Sequence, residues 1–477
     1  MSHSVTARSS NRSLIHRLDS QVDLLELHAH KPERYPCMLQ SSAFNTVTGR
    51  YDILFAFPQS ALILQDQKTL FLDPAGEQQP LSQGFLTEFD NWFEETARKQ
   101  EGIRETALPF TGGWCVYLGY ELANQIEPSL PRLALLDEDW PDAMALRIPA
   151  AFIHDRFERC QYIVTEHGFA DLRDQMLDDW RNIGRLQPSA DSPMQSATAD
   201  LRVHEDEPEP YLRGVEKIRE YIREGDVFQV NFSRGWQVEW PFPDLRGIFR
   251  AMSACNPAPF SAILRYQDRI IASMSPERLI SVSRDGVMET RPIAGTRPRG
   301  LTIEADQELA RELLNHHKEL AEHVMLVDLE RNDLGRIAIP GSISVPEMMT
   351  LESYASVHHI VSNVTGMVRP EVRPSQILAS VFPGGTITGC PKVRCMEIIN
   401  ELEQIRRQAY TGSMGYINHD GSMDLNILIR TLQYDRAGLR FRTGAGIVHD
   451  SIPEAELAET CAKADGILRV LRSTGLA

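Results

Sequence analysis

The chain lacks any apolar run near the roughly 18–20 residues that a membrane-spanning helix takes, so a membrane protein is not expected. Its first residues, MSHSVTARSSNRSLIHRLDS, lack the apolar core of a secretory signal, which predicts a cytoplasmic protein. Basic charge is short: 49 Lys and Arg stand against 66 Asp and Glu, a net charge of −17. That argues against nucleic acid as a partner, because phosphate neutralisation needs a basic surface. A small anionic substrate is still compatible, since a local cationic pocket or a bound metal overrides the global sign. Cysteine is scattered, at 37, 115, 160, 255, 390, 395 and 461. An odd number without paired spacing is no disulfide framework. Cys390 and Cys395 have no His or second Cys pair to complete a zinc site, so reduced and mostly buried thiols are expected. A P-loop is missing too, because FPGGTITGCPK (382–392) lacks the required spacing. No Ser–His–Asp or reactive-Cys signature is present.

What is there divides in two. Residues 186–210, LQPSADSPMQSATADLRVHEDEPEP, are rich in proline and acid and read as a linker. It separates an N-terminal region, 1–185, from a C-terminal region, 211–477. YDILFAF (51–57), AMALRIPAAFIHD (143–155) and part of LPFTGGWCVYLGYEL (108–122) read as strands. In the C-terminal region YLRGVEKIREYIREGD (211–226) has helical periodicity. Strand-like runs cover 227–240, 261–274, 278–291, 414–435 and 439–448, and one long helix is predicted from about Asp306 to Asp328. A last helix is signalled by Ser451 as cap and Glu454 three residues on. Strands and helices do not alternate strictly, so the expected class is α+β, with layered antiparallel β-sheets flanked by helices.

Several residues carry candidate chemistry. RPIAGTRPRG (291–300) is either an arginine-lined anion turn or a stiff surface loop. Glu322, in KELAEHVMLVDLERND, is either a solvated helical charge or a buried carboxylate that needs a cation. Glu459, in EAELAETCAKADG, either pairs with Lys463 at i,i+4 or joins Glu322 as an oxygen ligand of one Mg²⁺, an ion commonly held by one or two carboxylates plus the substrate's anion. TGAGIVHD (443–450) is either a plain turn or a backbone cradle for a carboxylate.

Together these stretches resemble the chorismate-utilising enzymes. The similarity rests on GDVFQVNFSR, SPERLI, RPIAGTRPRG, AEHVMLVDLERNDLGR, VHHIVSNVTG, FPGGTITGCPKVRCMEII, GYINHDGSMDLNILIRT, TGAGIVHDS and EAELAETCAK, in family order through the C-terminal region. The N-terminal region is similar more loosely, through LPFTGGWCVYLGYEL. The resemblance implies stacked antiparallel sheets to which both regions contribute. It also implies that Glu322 and Glu459 hold Mg²⁺ against the ring carboxylate of chorismate. Arg430, with Thr443, Gly444, Ala445 and Gly446, would fix the other anionic group, and Tyr416, Gly295 and Thr386 would border the substrate. Glu277 matches the general acid for the C4 hydroxyl, its pKa raised by burial. His359, Thr296 and Lys463 complete the implied catalytic set.

Family members that add water carry a lysine base where this chain has Gln229. An amide cannot activate water, which points to the ammonia users, anthranilate synthase and aminodeoxychorismate synthase. No amidotransferase segment is present, so the resemblance implies a separate glutamine amidotransferase subunit. Most aminodeoxychorismate synthases read PIKGT, with a nucleophilic lysine; here Ala294 stands in that place and excludes a covalent route through it. PIAGT is the anthranilate synthase form. MLQSSA (38–43) and NPAPFSA (256–262), however, depart from the LLES and NPSPYMF stretches of the tryptophan feedback site. The expectation is therefore 4-amino-4-deoxychorismate as product, with anthranilate as the alternative. A non-catalytic regulatory or scaffold homologue is disfavoured by the full set of site residues.

Overall fold

A computed structural model of the chain describes residues 14–41, 49–97, 106–133, 140–185, 202–239, 245–354, 357–436 and 438–473. Two 12-stranded sheets account for its strands, and the pairings are antiparallel. The expected α+β class, with layered antiparallel sheets and flanking helices, is the observed one. No helix among the described residues is long and apolar enough to cross a membrane.

Neither sheet belongs to one half of the chain. In the first, the N-terminal strand Cys37–Gln40 pairs with the C-terminal strand Phe260–Tyr266, in register Leu39↔Ala262. In the second, Gly113–Leu118 pairs with Ser413–Asn418, in register Cys115↔Tyr416. The expected linker is structured at its C-terminal end: Val203–Glu205 is an edge strand on Gln229–Val238, and helix Pro208–Glu224 starts before residue 211. The linker's residues 186–201, the polar N-terminus to residue 13 and residues 42–43 of MLQSSA lie outside the described residues.

Strand Tyr51–Ala56 explains why runs such as YDILFA show no alternation. Ile53 and Phe55 face the layer between the sheets, together with Cys115 and Tyr117 of the second sheet. Leu54 and Ala56 face the opposite side, which is covered by helices bearing Leu25, Phe249 and Leu468. Both faces are dry, so both are apolar. Pro149 divides AMALRIPAAFIHD into Ala143–Ile148 in one sheet and Ala150–Asp155 in the other.

Two helix expectations are corrected. The long helix is two, Ile303–Asn315 and His317–Gly335, divided at His316, whose extended backbone caps the second and whose ring accepts from Glu319 N. The last helix spans Pro453–Ser473, but Ser451 does not cap it: its hydroxyl accepts from Val448 N at 3.0 Å, and the first turn closes on the Ile452 carbonyl.

Candidate active site

A cavity of about 390 Å³ opens where the two sheets meet the last helix. Its wall contains Glu277, Thr296, His359, Thr386, Arg430, Thr443, Gly444 and Lys463. Long separations in sequence therefore converge on one space.

The cavity owes its cationic end to a splayed pair of strands. Thr431–Asp435 pairs with Gly438–Ile447 only as far as Phe441. Beyond that the long strand is left with an open edge, and the chain turns aside at Arg430 with φ 51°. TGAGI is thus strand rather than turn. Asn231 N donates away from this strand, to Thr388 O at 2.8 Å. Asn231 and its register partner Gly446 are therefore a non-hydrogen-bonded pair, and Gly446 and Gly444 direct their N–H groups to the open edge. Both positions need glycine. A Cβ on Gly444 would lie 2.6 Å from the Tyr410 hydroxyl and 2.8 Å from Phe232 O, and one on Gly446 would run into the Gln229 amide. Ala445, between them, points into the core.

Arg430 makes no ion pair with a described residue, and burial lowers its pKa. A buried cation in the same cavity wall as the outward N–H of Gly444 is an arrangement able to hold an anion. Lys463 stands at the mouth, half exposed, donating to Gly444 O at 2.7 Å and pairing with Glu459 at 2.8 Å. Of the two alternatives for Glu459, this is the pair with Lys463.

Glu277 lies opposite, 5 % exposed. Burial raises its pKa to about 7, opposed by the neighbouring Thr386 hydroxyl and Ile293 N–H. It is a carboxylic acid that keeps its proton close to neutrality. His359 is held neutral: burial and the Arg430 charge lower its pKa to about 4. Its Nδ1 meets the Thr296 hydroxyl at 2.9 Å. Around the cavity Asn231 Oδ1, Glu277 Oε1 and Thr386 Oγ1 are buried with no hydrogen-bond partner. Buried polar atoms are normally satisfied, so this concentration marks a polar binding site.

The remaining expected residues fall elsewhere. Gln229 sits one pleat behind Asn231, against Gly446. Ala294 is buried beside Ile293, which lines the cavity; at Gly295 the strand Ile293–Pro298 is irregular, with φ +71°. Tyr416 does not border this cavity. It packs against Phe55 and Phe110 and lines a second one of about 210 Å³, with Leu39, Gln40, Phe260 and Ser261. Its strand belongs to the other sheet, and the pleat turns it toward the N-terminal region. The two stretches tied to the feedback site, MLQSSA and NPAPFSA, meet there.

The arginines of RPIAGTRPRG hold carboxylates of the protein itself. Arg291 binds Glu347 and Glu352, Arg297 binds Glu312 and Glu319, and Arg299 binds Asp306 through both nitrogens. The stretch is a braced strand, not an anion turn.

Glu322 is half-buried on helix His317–Gly335. One turn earlier, Glu319 Oε2 is buried without a hydrogen-bond partner, beside Gly295. Carboxylate oxygens are the donors Mg²⁺ takes, and the orphaned oxygen fits such an ion. No group of three or more His, Cys, Asp or Glu is gathered as a ready-made cage among the described residues. Sequence reasoning missed Glu319, Tyr410 and Asn231. The i,i+3 spacing of Glu319 and Glu322 was a usable signal; the lining role of Tyr410 depends on the strand splay.

Residues 37–469 match the model of the chorismate binding enzyme family, and the chain belongs to that family. It is a chorismate-utilising enzyme. It is 39 % identical over 434 residues to aminodeoxychorismate synthase component 1 of Bacillus subtilis, covering 89 % of each chain. It is 36 % identical over 455 residues to anthranilate synthase component 1 of the same organism, covering 91 % of this chain and 87 % of the other. Among solved structures, anthranilate synthase component I from Streptococcus pneumoniae is similar with a TM-score of 0.77 and 28 % identity, over 89 % of this chain and 93 % of that one.

Proposed function

We propose that the chain is the large subunit of an aminodeoxychorismate synthase, converting chorismate and ammonia to 4-amino-4-deoxychorismate and water, for 4-aminobenzoate and folate synthesis. The observation that carries this reading is an acid without a matching base. Glu277 retains its proton near neutrality, while the position of a water-activating base is an amide, Gln229. Ammonia is nucleophilic without a base; water is not.

In this reading Arg430 and the N–H groups of Gly444 and Gly446 hold one carboxylate of chorismate. Glu322 and Glu459, with Glu319, would hold Mg²⁺, which when bound would offset the charge of the ring carboxylate and draw electron density from the ring. Glu277 donates its proton to the C4 oxygen as ammonia adds at C2, and water leaves, giving 2-amino-2-deoxyisochorismate. A second ammonia adds at C4 and the C2 amine departs. The methyl of Ala294 cannot take part covalently. A glutamine amidotransferase subunit supplies the ammonia, in keeping with relatives named component 1.

The alternative product is anthranilate, which shares the first step and then loses pyruvate; Ala294 within PIAGT favours it. Phe260 and Ser261, in the wall of the second cavity, favour aminodeoxychorismate. Incubation with chorismate, Mg²⁺ and ammonium separates the two. The expected product becomes 4-aminobenzoate only when a lyase is added, whereas anthranilate with pyruvate refutes the proposal.

A further inference from the structure

Near enough to Glu277 for its charge to act on one of them, and outside the cavity lining, is a second set of ionisable groups. Helix His317–Gly335 buries Leu326, Val327 and Leu334, and Glu330 sits on that same apolar stripe, 6 % exposed. Asp333, one turn on, pairs with Lys392 Nζ at 2.5 Å. The turn Gly385–Ile387 separates the two sides. Thr386 borders Glu277 in the cavity, while the preceding Gly385 faces the helix, so that a Cβ there would lie 3.5 Å from Glu330 Oε1. The buried Thr386 and Thr290 hydroxyls lie beside Glu277 and Glu330 respectively.

The charges do not balance with every group ionised. Lys392 offsets Asp333. Glu277 and Glu330 have no cation of their own, and each uncompensated buried charge costs on the order of several kcal/mol. The two carboxyls therefore keep at least one proton between them and titrate as a pair.

We propose that Glu330 is the proton reservoir of Glu277. When Glu277 gives its proton to the departing oxygen, a proton passes from the Glu330 carboxyl to the Glu277 carboxylate by way of the bordering hydroxyls. The negative charge moves to Glu330, where the Lys392 ammonium stabilises it, and water reloads Glu330 along the Asp333–Lys392 pair, whose lysine is the most exposed member. This rests on Glu277 being the general acid.

Burial and the Asp333 charge raise the pKa of Glu330, opposed by Lys392. The other neighbouring elements bring no competing charge. Helix Pro374–Val381 contributes only the Ser380 hydroxyl, bonded to Asp333 O. Glu289 is bound by Arg278, Arg297 by Glu319 and Glu312, His358 by Asp306, and His359 by Thr296. Arg336 acts on Asp333.

The test is the pH profile with chorismate, Mg²⁺ and ammonium. In Glu330→Gln, Glu277 no longer ionises against a second carboxyl, so the alkaline limb of kcat/KM moves to lower pH by about one unit. The steady-state rate falls about tenfold, less than the roughly 10²–10⁴ that general acid catalysis supplies, while the first turnover in quenched flow, started on the acid side of the limb where Glu277 is protonated in both proteins, keeps its wild-type rate. Glu330→Asp restores the limb even though it leaves a gap in the packing, which a merely structural role would not allow. A wild-type profile and rate in Glu330→Gln overturn the reservoir. If Glu277→Gln is inactive at the same time, Glu277 stands and only the reservoir falls; if Glu277→Gln turns over normally, both fall.

Discussion

Replacing Glu277 by Gln tests the central chemistry through stability as well as rate. The carboxyl has a pKa of about 7 in the folded chain, raised from 4.5 by burial. Below about pH 4.5 it is protonated in both folded and unfolded chains, and its stabilising contribution is complete. As pH rises, the unfolded chain ionises first, so the native state loses stability up to about pH 7 and then levels off. A displacement of that size corresponds to about 3 kcal/mol, since one pH unit is worth about 1.4 kcal/mol. Glutamine keeps the shape and does not titrate. Urea unfolding of both proteins from pH 4.5 to 8 should show Glu277→Gln gaining on the wild type by about 3 kcal/mol, almost all of it between pH 4.5 and 7. Over the same range wild-type kcat/KM should fall above pH 7, as the acid loses its proton, and the variant should be slower by roughly 10²–10⁴. A stability difference that does not change with pH would refute the argument that this carboxyl is buried protonated.

Three further outcomes are expected. Glu322→Gln should abolish Mg²⁺-dependent turnover with unchanged circular dichroism; undiminished turnover across a Mg²⁺ titration removes the metal assignment. Gly444→Ala places a methyl group 2.6–2.9 Å from the Tyr410 hydroxyl, Phe232 O and Asn231 Oδ1. It should raise KM for chorismate by about tenfold or more and cost about 1–3 kcal/mol in urea. Arg407→Leu removes the nearer of the two cations on Glu403, in a pair with both side chains 1 % exposed, leaving Arg442 at 3.4 Å, and releases the carbonyls of Asn231 and Ile387. A loss of about 2–3 kcal/mol is expected from denaturant unfolding.

Much of the site was legible because its parts are local. SPERLI, NILIRT and TGAGIVHDS each carry their residue in a recognisable setting, and Glu277, Arg430 and Gly444 do share one cavity. Tyr416 was misplaced because which face of a strand looks into which cavity depends on sheet pairing, not on spacing. The break at His316 was hidden because one residue with extended backbone does not interrupt the pattern of charges around it. Glu330 was passed over within LERND because a helical Glu looks solvated until the surrounding helices and the Gly385 turn are in place.

By itself the sequence determined the class of fold and the family, and it pointed to ammonia chemistry and to Glu277 as the acid, because residue type and local spacing fix what a group is able to do. Only the tertiary structure decided which charges are already paired and which are not. The arginines of RPIAGTRPRG are bound by carboxylates from helices and strands distant in the chain, while Arg430 faces an open strand edge alone. The same distinction sets the proton on Glu277: a carboxyl gives up its proton in water and keeps it in a dry wall, and dryness is a property of everything packed around it.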